Sequence, residues 1–209
     1  KPSSMEVVHT ILNPVFEKAV FDNLIRKNPC IPAMKEIRQM KEWQPKKVTT
    51  KYAFTVEQQM AFVDFMRSNS DYSRWKNILT VLLGTGMRIG ECTGLVWKNC
   101  DFKNDCIYIT HTLIYRQWED GTCGYRVHPA PKTKAGIRTI PMMKEVREAL
   151  LAEKAYQEQH GTANTVIDGY SDWVFTNRYG TVLSLSSVND GIAHIIRDYN
   201  EMEKENAEL

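Results

Sequence analysis

The sequence lacks any apolar run close to the roughly 18 residues that a membrane-spanning helix needs, and it contains no internal repeats or low-complexity tracts. It also lacks the cysteine patterns that form disulfides or metal sites. The five cysteines are an odd number without a C-x-x-C pair. We therefore expect reduced thiols in a cytoplasmic protein that does not associate with membranes.

Several enzyme signatures are absent as well. No Gly-Lys-Ser/Thr forms a Walker-type phosphate loop, and no Gly-x-Ser-x-Gly surrounds a nucleophilic serine. The five histidines are scattered, with no H-E-x-x-H and no His/Cys cluster. Residues 84–90 fit a loose dinucleotide-binding pattern, but helical rather than strand periodicity precedes them. The sequence therefore predicts neither a metal ion nor a cofactor.

The net charge of +2 is small, but the basic residues are unevenly spread. From Arg26 to Lys51 there are eight basic residues and only two acidic ones. Such a stretch suits the phosphate backbone of a nucleic acid. A solvated linker can have the same composition, so charge alone leaves both interpretations open.

Hydrophobic periodicity predicts a mainly helical α+β protein with one small antiparallel sheet. Apolar residues recur at helical spacing over 5–27, where Pro14 should bend or split the helix and Asn28–Pro32 should end it. A change of composition near residue 50 indicates a domain boundary. Further helices are predicted at 56–67 (behind a Thr55–Gln58 capping box), 75–83 and 144–159, with a last helix capped by Ser186 or Ser187; strands are predicted at 106–110, 113–115, 124–127 and 137–140.

The first candidate for chemistry is Arg88, which follows a glycine turn at 84–86 and opens a short helix. Backbone N–H groups at a helix start and a planar guanidinium can together bind one phosphate. Glu91 lies three residues later, where it can hold the guanidinium or the neighbouring backbone. A lone arginine is more often a surface charge, so the hypothesis depends on these neighbours.

A second candidate is the basic segment 131–141, which is predicted to form a β-hairpin. A lysine at a hairpin tip can reach a phosphate and protonate a leaving alkoxide. A solvated turn is the plainer interpretation of the same residues.

These segments resemble the tyrosine recombinases, the phage-type and transposon integrases. Residues 132–141 match the family pattern K-T-x-x-G-x-R-x-I-P, and residues 174–180 and 12–29 resemble further family segments. The long 112–127 excursion and these flanks look closest to conjugative-transposon integrases. The first arginine box of the family is matched in register by Thr85, Gly86, Arg88, Glu91, Leu95, Trp97 and Asp101.

The resemblance implies a site-specific recombinase that cleaves and rejoins duplex DNA through a 3′-phosphotyrosyl intermediate, without metal or ATP. It implies that Arg88 binds the phosphate, that Glu91 supports Arg88, and that Lys132 or, as the less favoured alternative, Lys134 donates a proton. A tetramer on paired sites and an excisionase-type accessory protein are also implied. A non-catalytic DNA-binding or regulatory module on the same scaffold is the alternative. The residues expected to bind DNA are Arg26, Lys27, Lys46, Lys47, Lys51, Lys134 and Arg138.

On this resemblance, residues 1–45 end a helical core-binding domain, 46–54 form a basic linker and 55–209 belong to a catalytic domain. The family's second motif, H-x-L-R-H, is followed by the nucleophilic tyrosine. His194-Ile195-Ile196-Arg197 has the His/Arg spacing without the surrounding residues, and an amphipathic helix with Ile192, Ile195 and Ile196 facing the core would look the same. Tyr199 lies too close to be the nucleophile. We therefore expect the second motif and the nucleophile beyond residue 209, and the 209 residues alone to be inactive.

Overall fold

The computed structural model describes residues 2–40, 53–128 and 136–207. The chain divides into two compact units, Lys1–Ala53 and Phe54–Leu209. Most of the linker predicted at 46–54 lies outside the described residues. No helix in the described ranges is long and apolar enough to cross a membrane.

The described part of the first unit, residues 2–40, contains two helices, α1 (Pro2–Phe21) and α2 (Cys30–Gln39). The predicted end of α1 near residue 27 is wrong, because Asn23 adopts a left-handed conformation with a φ of 57°. The N–H groups of Asn23 and Leu24 donate back to carbonyls of the last helical turn, a pattern that closes a helix. Pro14 lies inside α1 without splitting it.

The segment 28–32, which was expected to end a helix, instead begins α2. The side-chain oxygen of Asn28 accepts the N–H of Cys30 at 2.9 Å, and the Asn28 amide donates to Asn13 Oδ1 of α1 at 2.9 Å. Pro32 lies in the first turn, where backbone N–H groups have no partner within the helix. Proline is therefore compatible with a helix start here, and the prediction took it for a helix end.

The second unit is built mainly on helices. The predicted capping box is confirmed, since Thr55 and Gln58 each bind the other's backbone N–H through their side chains. The last helix begins with a different cap from the one predicted, because Ser184 Oγ accepts the N–H of Ser187 at 2.9 Å. The helices are α3 (Val56–Ser68), α4 (Ser73–Thr85), α5 (Ile89–Thr93), α6 (Lys144–His160) and α7 (Leu185–Ala207).

In the residues that the structure describes, the strands form two small antiparallel sheets, where the sequence predicted one. The chain leaves the first sheet after Ile109, and the buried His111 that follows binds the Gly94 carbonyl through its ring at 2.7 Å. The first sheet has the antiparallel order β1 (Cys100–Asp101), β2 (Cys106–Ile109), β5 (Arg138–Pro141), and β3 (Thr112–Gln117) and β4 (Cys123–His128) form a separate hairpin.

The main core of the second unit includes the contact between α4 and α6. Val81 of α4 and Val146 and Leu150 of α6 are fully buried. The two helices approach closely at Gly84, where an added Cβ would lie 2.5 Å from Val146 Cγ2. This contact holds the C-terminal end of α4, where the candidate site begins.

Candidate active site

The turn that carries Arg88 starts where α4 ends. Gly86 has a φ of 62°, a left-handed conformation that glycine adopts without strain, and its N–H donates to the Leu82 carbonyl at 3.0 Å. The buried Met87 anchors the turn in the core. Arg88 follows in an extended conformation as the residue just before α5. The Thr-Gly-x-Arg pattern therefore ends one helix and starts the next.

Glu91 binds both the side chain and the backbone of Arg88. The Arg88 backbone N–H donates to Glu91 Oε2 at 2.9 Å, and Arg88 Nη1 donates to Glu91 Oε1 at 2.8 Å. The Glu91 side chain is 3% exposed, whereas the Arg88 side chain is 75% exposed. A buried carboxylate thus holds a guanidinium that faces solvent.

Arg138 binds the same carboxylate from β5. Its Nη1 donates to Glu91 Oε1 at 3.0 Å and its Nη2 donates to Glu91 Oε2 at 2.7 Å. The prediction that Arg138 binds DNA rests on its charge, whereas the structure shows both terminal nitrogens bound to Glu91. Sequence reasoning missed this pair because the two residues are 47 positions apart and no local periodicity connects them.

The Arg88–Glu91–Arg138 cluster keeps a positive charge. Burial raises the pKa of the Glu91 carboxyl, but hydrogen bonds from Arg138 and from the Arg88 backbone and side chain outweigh burial and lower that pKa to about 2. Glu91 is therefore a carboxylate at neutral pH. Two guanidinium groups and one carboxylate leave one net positive charge, and Arg88 is more exposed than Arg138. The cluster can bind a phosphate through Arg88.

Two glycines bring α5 directly against β3. A Cβ at Gly90 would lie 2.7 Å from Thr112 Oγ1 and 2.9 Å from the Leu113 carbonyl oxygen. A Cβ at Gly94 would lie 2.9 Å from the Leu113 nitrogen. A larger residue at either position would push α5, and with it Glu91, away from the hairpin.

The remaining residues of the arginine box hold the fold together. Leu95 is buried, and its carbonyl accepts the N–H of Val174 at 2.9 Å. Trp97 Nε1 donates to Gln157 Oε1 of α6 at 2.8 Å. Asp101 Oδ1 accepts two backbone N–H groups of the turn after β1. Leu95 and Trp97 therefore connect the segment that follows α5 to Val174 and to α6, and Asp101 closes a local turn.

The structure describes only some of the basic residues that were expected to act on DNA. Arg26 and Lys27 are exposed in the connection between α1 and α2. Arg138 is described above. Five further residues lie outside the described residues, namely Lys46, Lys47, Lys51, Lys132 and Lys134.

His194 and Arg197 lie together on the exposed side of α7. Arg197 Nη2 is 3.1 Å from His194 Nδ1 and 2.9 Å from Asp198 Oδ1. Ile195 is fully buried, whereas Ile196 is 36% exposed, so the predicted core face includes the first but not the second. These contacts are those of a surface ion-pair network.

Tyr199 takes part in packing between α7 and α3. Its ring contacts Phe62 and Phe65, with centroid distances of 6.5 Å and 5.4 Å. The neighbouring Asp198 accepts the hydroxyl of Tyr72 at 2.5 Å, and this hydrogen bond, together with burial and the negative charge of Asp198, raises the pKa of Tyr72 to about 12. Tyr199 and Asp198 therefore attach α7 to the start of the unit.

Comparison with known proteins identifies the family of the chain. A model described as "Phage integrase family" matches residues 53–206. The transposase from transposon Tn916 of Enterococcus faecalis is 31% identical over 190 residues, which are 91% of this chain and 44% of that protein. The ICEBs1 integrase of Bacillus subtilis is 27% identical over 161 residues, 75% of this chain and 38% of that protein. The chain belongs to the phage integrase family, and the resemblance to tyrosine recombinases is confirmed.

Solved structures agree with this assignment. The Tn1549 transposon integrase in complex with circular intermediate DNA has a TM-score of 0.72 and 25% identity, covering 97% of this chain and 59% of that one. A second complex of that integrase, with transposon right end DNA, has a TM-score of 0.73 and 28% identity over 95% of this chain and 59% of that one. The α+β fold of the recombinase catalytic domain is confirmed, and the chain spans less than half the length of the curated relatives named above.

Proposed function

We propose that the protein to which this chain belongs is a site-specific recombinase of a mobile element. It cleaves and rejoins duplex DNA through a 3′-phosphotyrosyl link and uses neither metal nor ATP. The observation that carries this proposal is the Arg88–Glu91–Arg138 cluster, a preorganised cationic site in the family's arginine box. The relatives named as transposase and integrase, and the integrase structures bound to DNA, support the same substrate.

Arg88 is proposed to bind the non-bridging oxygens of the phosphate that is cut. Its side chain is 75% exposed, and its guanidinium is already oriented by Glu91. A donor that is held in place before the reaction stabilises charge that develops on the phosphate, and it needs little reorganisation at that moment. Glu91 supports this role and does not itself contact the substrate.

The proposed reaction is a balanced transesterification. A tyrosine hydroxyl gives up its proton and attacks the phosphorus, the new phosphotyrosyl bond forms, and the bond to the 5′-oxygen breaks, so that one proton is released for each proton that the 5′-oxygen takes up. Lys132, with Lys134 as the alternative, donates the proton that the 5′-oxygen takes up. Strand exchange reverses the step, so the number of phosphoester bonds is conserved and no ATP is required. The greater length of the relatives supports a nucleophile outside the 209 residues.

Family membership also motivates the proposed partners. Duplex DNA is the substrate, and the full protein is proposed to act as a tetramer on paired sites in the cytoplasm, with an excisionase-type accessory protein. The basic residues proposed to contact the DNA backbone are Arg26, Lys27, Lys46, Lys47, Lys51 and Lys134.

The test of the proposed function uses the full-length native protein and a nicked suicide duplex that contains the element's end, in buffer with EDTA. We expect a protein–DNA adduct that survives SDS, with its linkage mapped by peptide digestion to a tyrosine outside the 209 residues. A duplex with a scrambled core sequence is the control. Tight, salt-sensitive DNA binding without any adduct would instead favour a non-catalytic DNA-binding module.

The proton donor can be tested separately. A substrate with sulfur in place of the 5′-bridging oxygen has a leaving thiolate, which needs no proton at neutral pH. We expect this substrate to restore cleavage by Lys132→Ala but not by Arg88→Ala. If the substrate instead restored cleavage by the Lys134→Ala variant and not by the Lys132→Ala variant, the proton donor would be Lys134.

A further inference from the structure

The Glu91 carboxylate is saturated by hydrogen bonds from two directions. Oε1 accepts Arg88 Nη1 at 2.8 Å and Arg138 Nη1 at 3.0 Å. Oε2 accepts the Arg88 backbone N–H at 2.9 Å and Arg138 Nη2 at 2.7 Å. Each oxygen therefore has one donor from the turn before α5 and one from β5.

Arg138 fixes the plane of this carboxylate. It uses both terminal nitrogens, the bidentate arrangement that only a guanidinium can make. Its backbone is also held, because Arg138 pairs with Ile109 in the ladder between β5 and β2. The carboxylate that orients Arg88 is thus itself attached to the first sheet.

The charges of the cluster also favour an arrangement in which Arg138 holds Glu91 and Arg88 remains available to a phosphate. If Glu91 were paired with Arg88 alone, the carboxylate would cancel the positive charge of Arg88 and draw its guanidinium toward the interior. The second arginine compensates Glu91, so one positive charge is left at the exposed Arg88 side chain. Arg138 has a side-chain exposure of 31%, less than half that of Arg88.

We propose that Arg138 is a positioning residue of the recombination site, which holds Glu91 so that Arg88 is presented to the phosphate, and is not a DNA contact. This inference rests on the proposed function and refines the assignment of Arg138 that charge alone had suggested. A positioning role and a DNA-contact role differ in two measurable respects. One is whether the effect of Arg138→Ala on cleavage requires Arg88, and the other is whether the substitution changes the salt dependence of DNA binding.

The first experiment is a double-mutant cycle in the full-length native protein, with single-turnover adduct formation on the suicide duplex as the readout. Arg138→Ala should slow cleavage by about a hundredfold. The same substitution in an Arg88→Ala background should have an effect of less than about threefold, because the two residues act as one unit. Equal fold-losses in both backgrounds would overturn the inference.

The second experiment measures DNA affinity against salt concentration. Removing one side chain that neutralises a phosphate reduces the slope of log K against log salt by about 0.9, and we expect no change in that slope for Arg138→Ala. Arg67→Ala, which removes an exposed arginine of α3, is the matched control for charge. A reduced slope for Arg138→Ala with wild-type cleavage would assign Arg138 to DNA contact.

Arg138→Lys keeps the experiment informative if the alanine variant does not fold. Lysine keeps the charge but cannot make the bidentate contact, so cleavage should remain more than about tenfold below wild type with an unchanged salt slope. Full activity of Arg138→Lys would overturn the inference.

If the wild-type protein forms no adduct, the proposed function itself fails and the inference fails with it. If the wild-type protein does form an adduct, but Arg138→Ala slows cleavage equally in both backgrounds or reduces the salt slope with wild-type cleavage, only the inference on Arg138 is overturned and the proposed function stands.

Discussion

The Glu91 carboxylate accepts hydrogen bonds from two arginines and is buried, while Arg88 beside it faces solvent. A buried carboxylate without such donors would be strongly destabilising. The exposed Arg88 is therefore held in place by the buried Glu91. Substitution of the exposed residue should affect mainly the reaction, and substitution of the buried one should also affect stability.

Arg88→Ala in the full-length protein should slow adduct formation by about a hundredfold or more, roughly 3 kcal/mol of transition-state stabilisation. The dissociation constant for DNA should change far less, because the guanidinium interacts most strongly with the additional negative charge that develops on the phosphate during cleavage, and the ground-state phosphate is only one of many that the protein contacts. Single-turnover kinetics and an anisotropy titration measure the two effects separately. Losses of rate and affinity that are equal in size would contradict the role of Arg88.

Glu91 should make the stability of the second unit depend on acid pH. Its pKa in the folded protein is about 2, below the ordinary 4.5, so its contribution is complete above pH 4.5 and is lost as the pH falls toward 2. The lost free energy of unfolding should be about 3 kcal/mol. Urea denaturation at pH 5 and pH 3 should show a smaller difference for Glu91→Gln than for wild type.

The control for that measurement is Glu148→Gln, which replaces an exposed carboxylate of α6. Its pH dependence should match that of the wild type. A Glu91→Gln variant with the wild-type dependence would show that the cluster does not hold the carboxylate in its charged form.

At the scale of secondary-structure elements, α5 is held against β3 by two glycines. Gly90→Ala would place a Cβ 2.7 Å from Thr112 Oγ1 and 2.9 Å from a backbone oxygen. Such overpacking should lower the free energy of unfolding by about 1–3 kcal/mol and slow cleavage through displacement of Glu91. Chemical denaturation and the adduct assay measure both effects.

Gly124→Ala is the matched control, because a Cβ at Gly124 has no neighbour within 4 Å. It should change the free energy of unfolding by less than about 1 kcal/mol. A Gly90→Ala variant as stable and active as Gly124→Ala would contradict the close contact between α5 and β3.

His111 joins the hairpin to the end of α5. Its Nε2 donates to the Gly94 carbonyl at 2.7 Å and its Nδ1 lies 2.8 Å from Thr110 Oγ1, with the Tyr170 ring at a centroid distance of 4.2 Å. Burial lowers the pKa of His111, the Gly94 hydrogen bond opposes this shift, and the charge of Lys98 adds to it. The neutral ring satisfies all of these contacts.

Because the pKa of His111 is lowered in the folded protein, its contribution to stability is present above pH 6.5 and decreases as the pH falls below that value. His111→Gln should therefore flatten the change in unfolding free energy between pH 7.5 and pH 5.5. His128→Gln, which replaces an exposed histidine at the end of β4, should keep the wild-type change. A steep change that survives in His111→Gln would exclude His111 as its source.

The elements also show where sequence patterns reach their limit. The capping box at Thr55 is local, and the sequence located the start of α3 correctly. The end of α1 depends on the left-handed Asn23, and apolar periodicity continues past it to Leu24. The division of the strands into two sheets depends on which strands pair, since Ile109 pairs with Arg138 in one sheet and Thr112 pairs with His128 in the other. Local patterns therefore predicted the elements better than their pairing.

At the scale of the whole molecule, the basic residues between 26 and 51 precede the boundary between the two compact units, which follows Ala53. We expect DNA affinity to fall steeply with salt, because each neutralised phosphate releases counterions. Replacing Arg26, Lys27, Lys46, Lys47 and Lys51 with alanine should reduce the slope of log K against log salt by about 0.9 for each phosphate that is no longer neutralised.

Anisotropy titrations at several salt concentrations measure this slope in the full-length protein. Lys144→Ala, an exposed lysine of α6 outside the basic stretch, is the control and should keep the wild-type slope. An affinity that does not depend on salt, or a slope unchanged in the multiple variant, would assign the basic stretch to a solvated linker.

By itself the sequence determined the family, the mainly helical class and the identity of the arginine box, because these are carried by local spacing and by residue types that few other arrangements explain. Only the tertiary structure decided that Arg138 binds Glu91, that Gly90 and Gly94 touch β3, and that the strands divide into two sheets. Each of these depends on contacts between residues distant in sequence. Such contacts are set by how helices and strands pack, which the order of residues does not display.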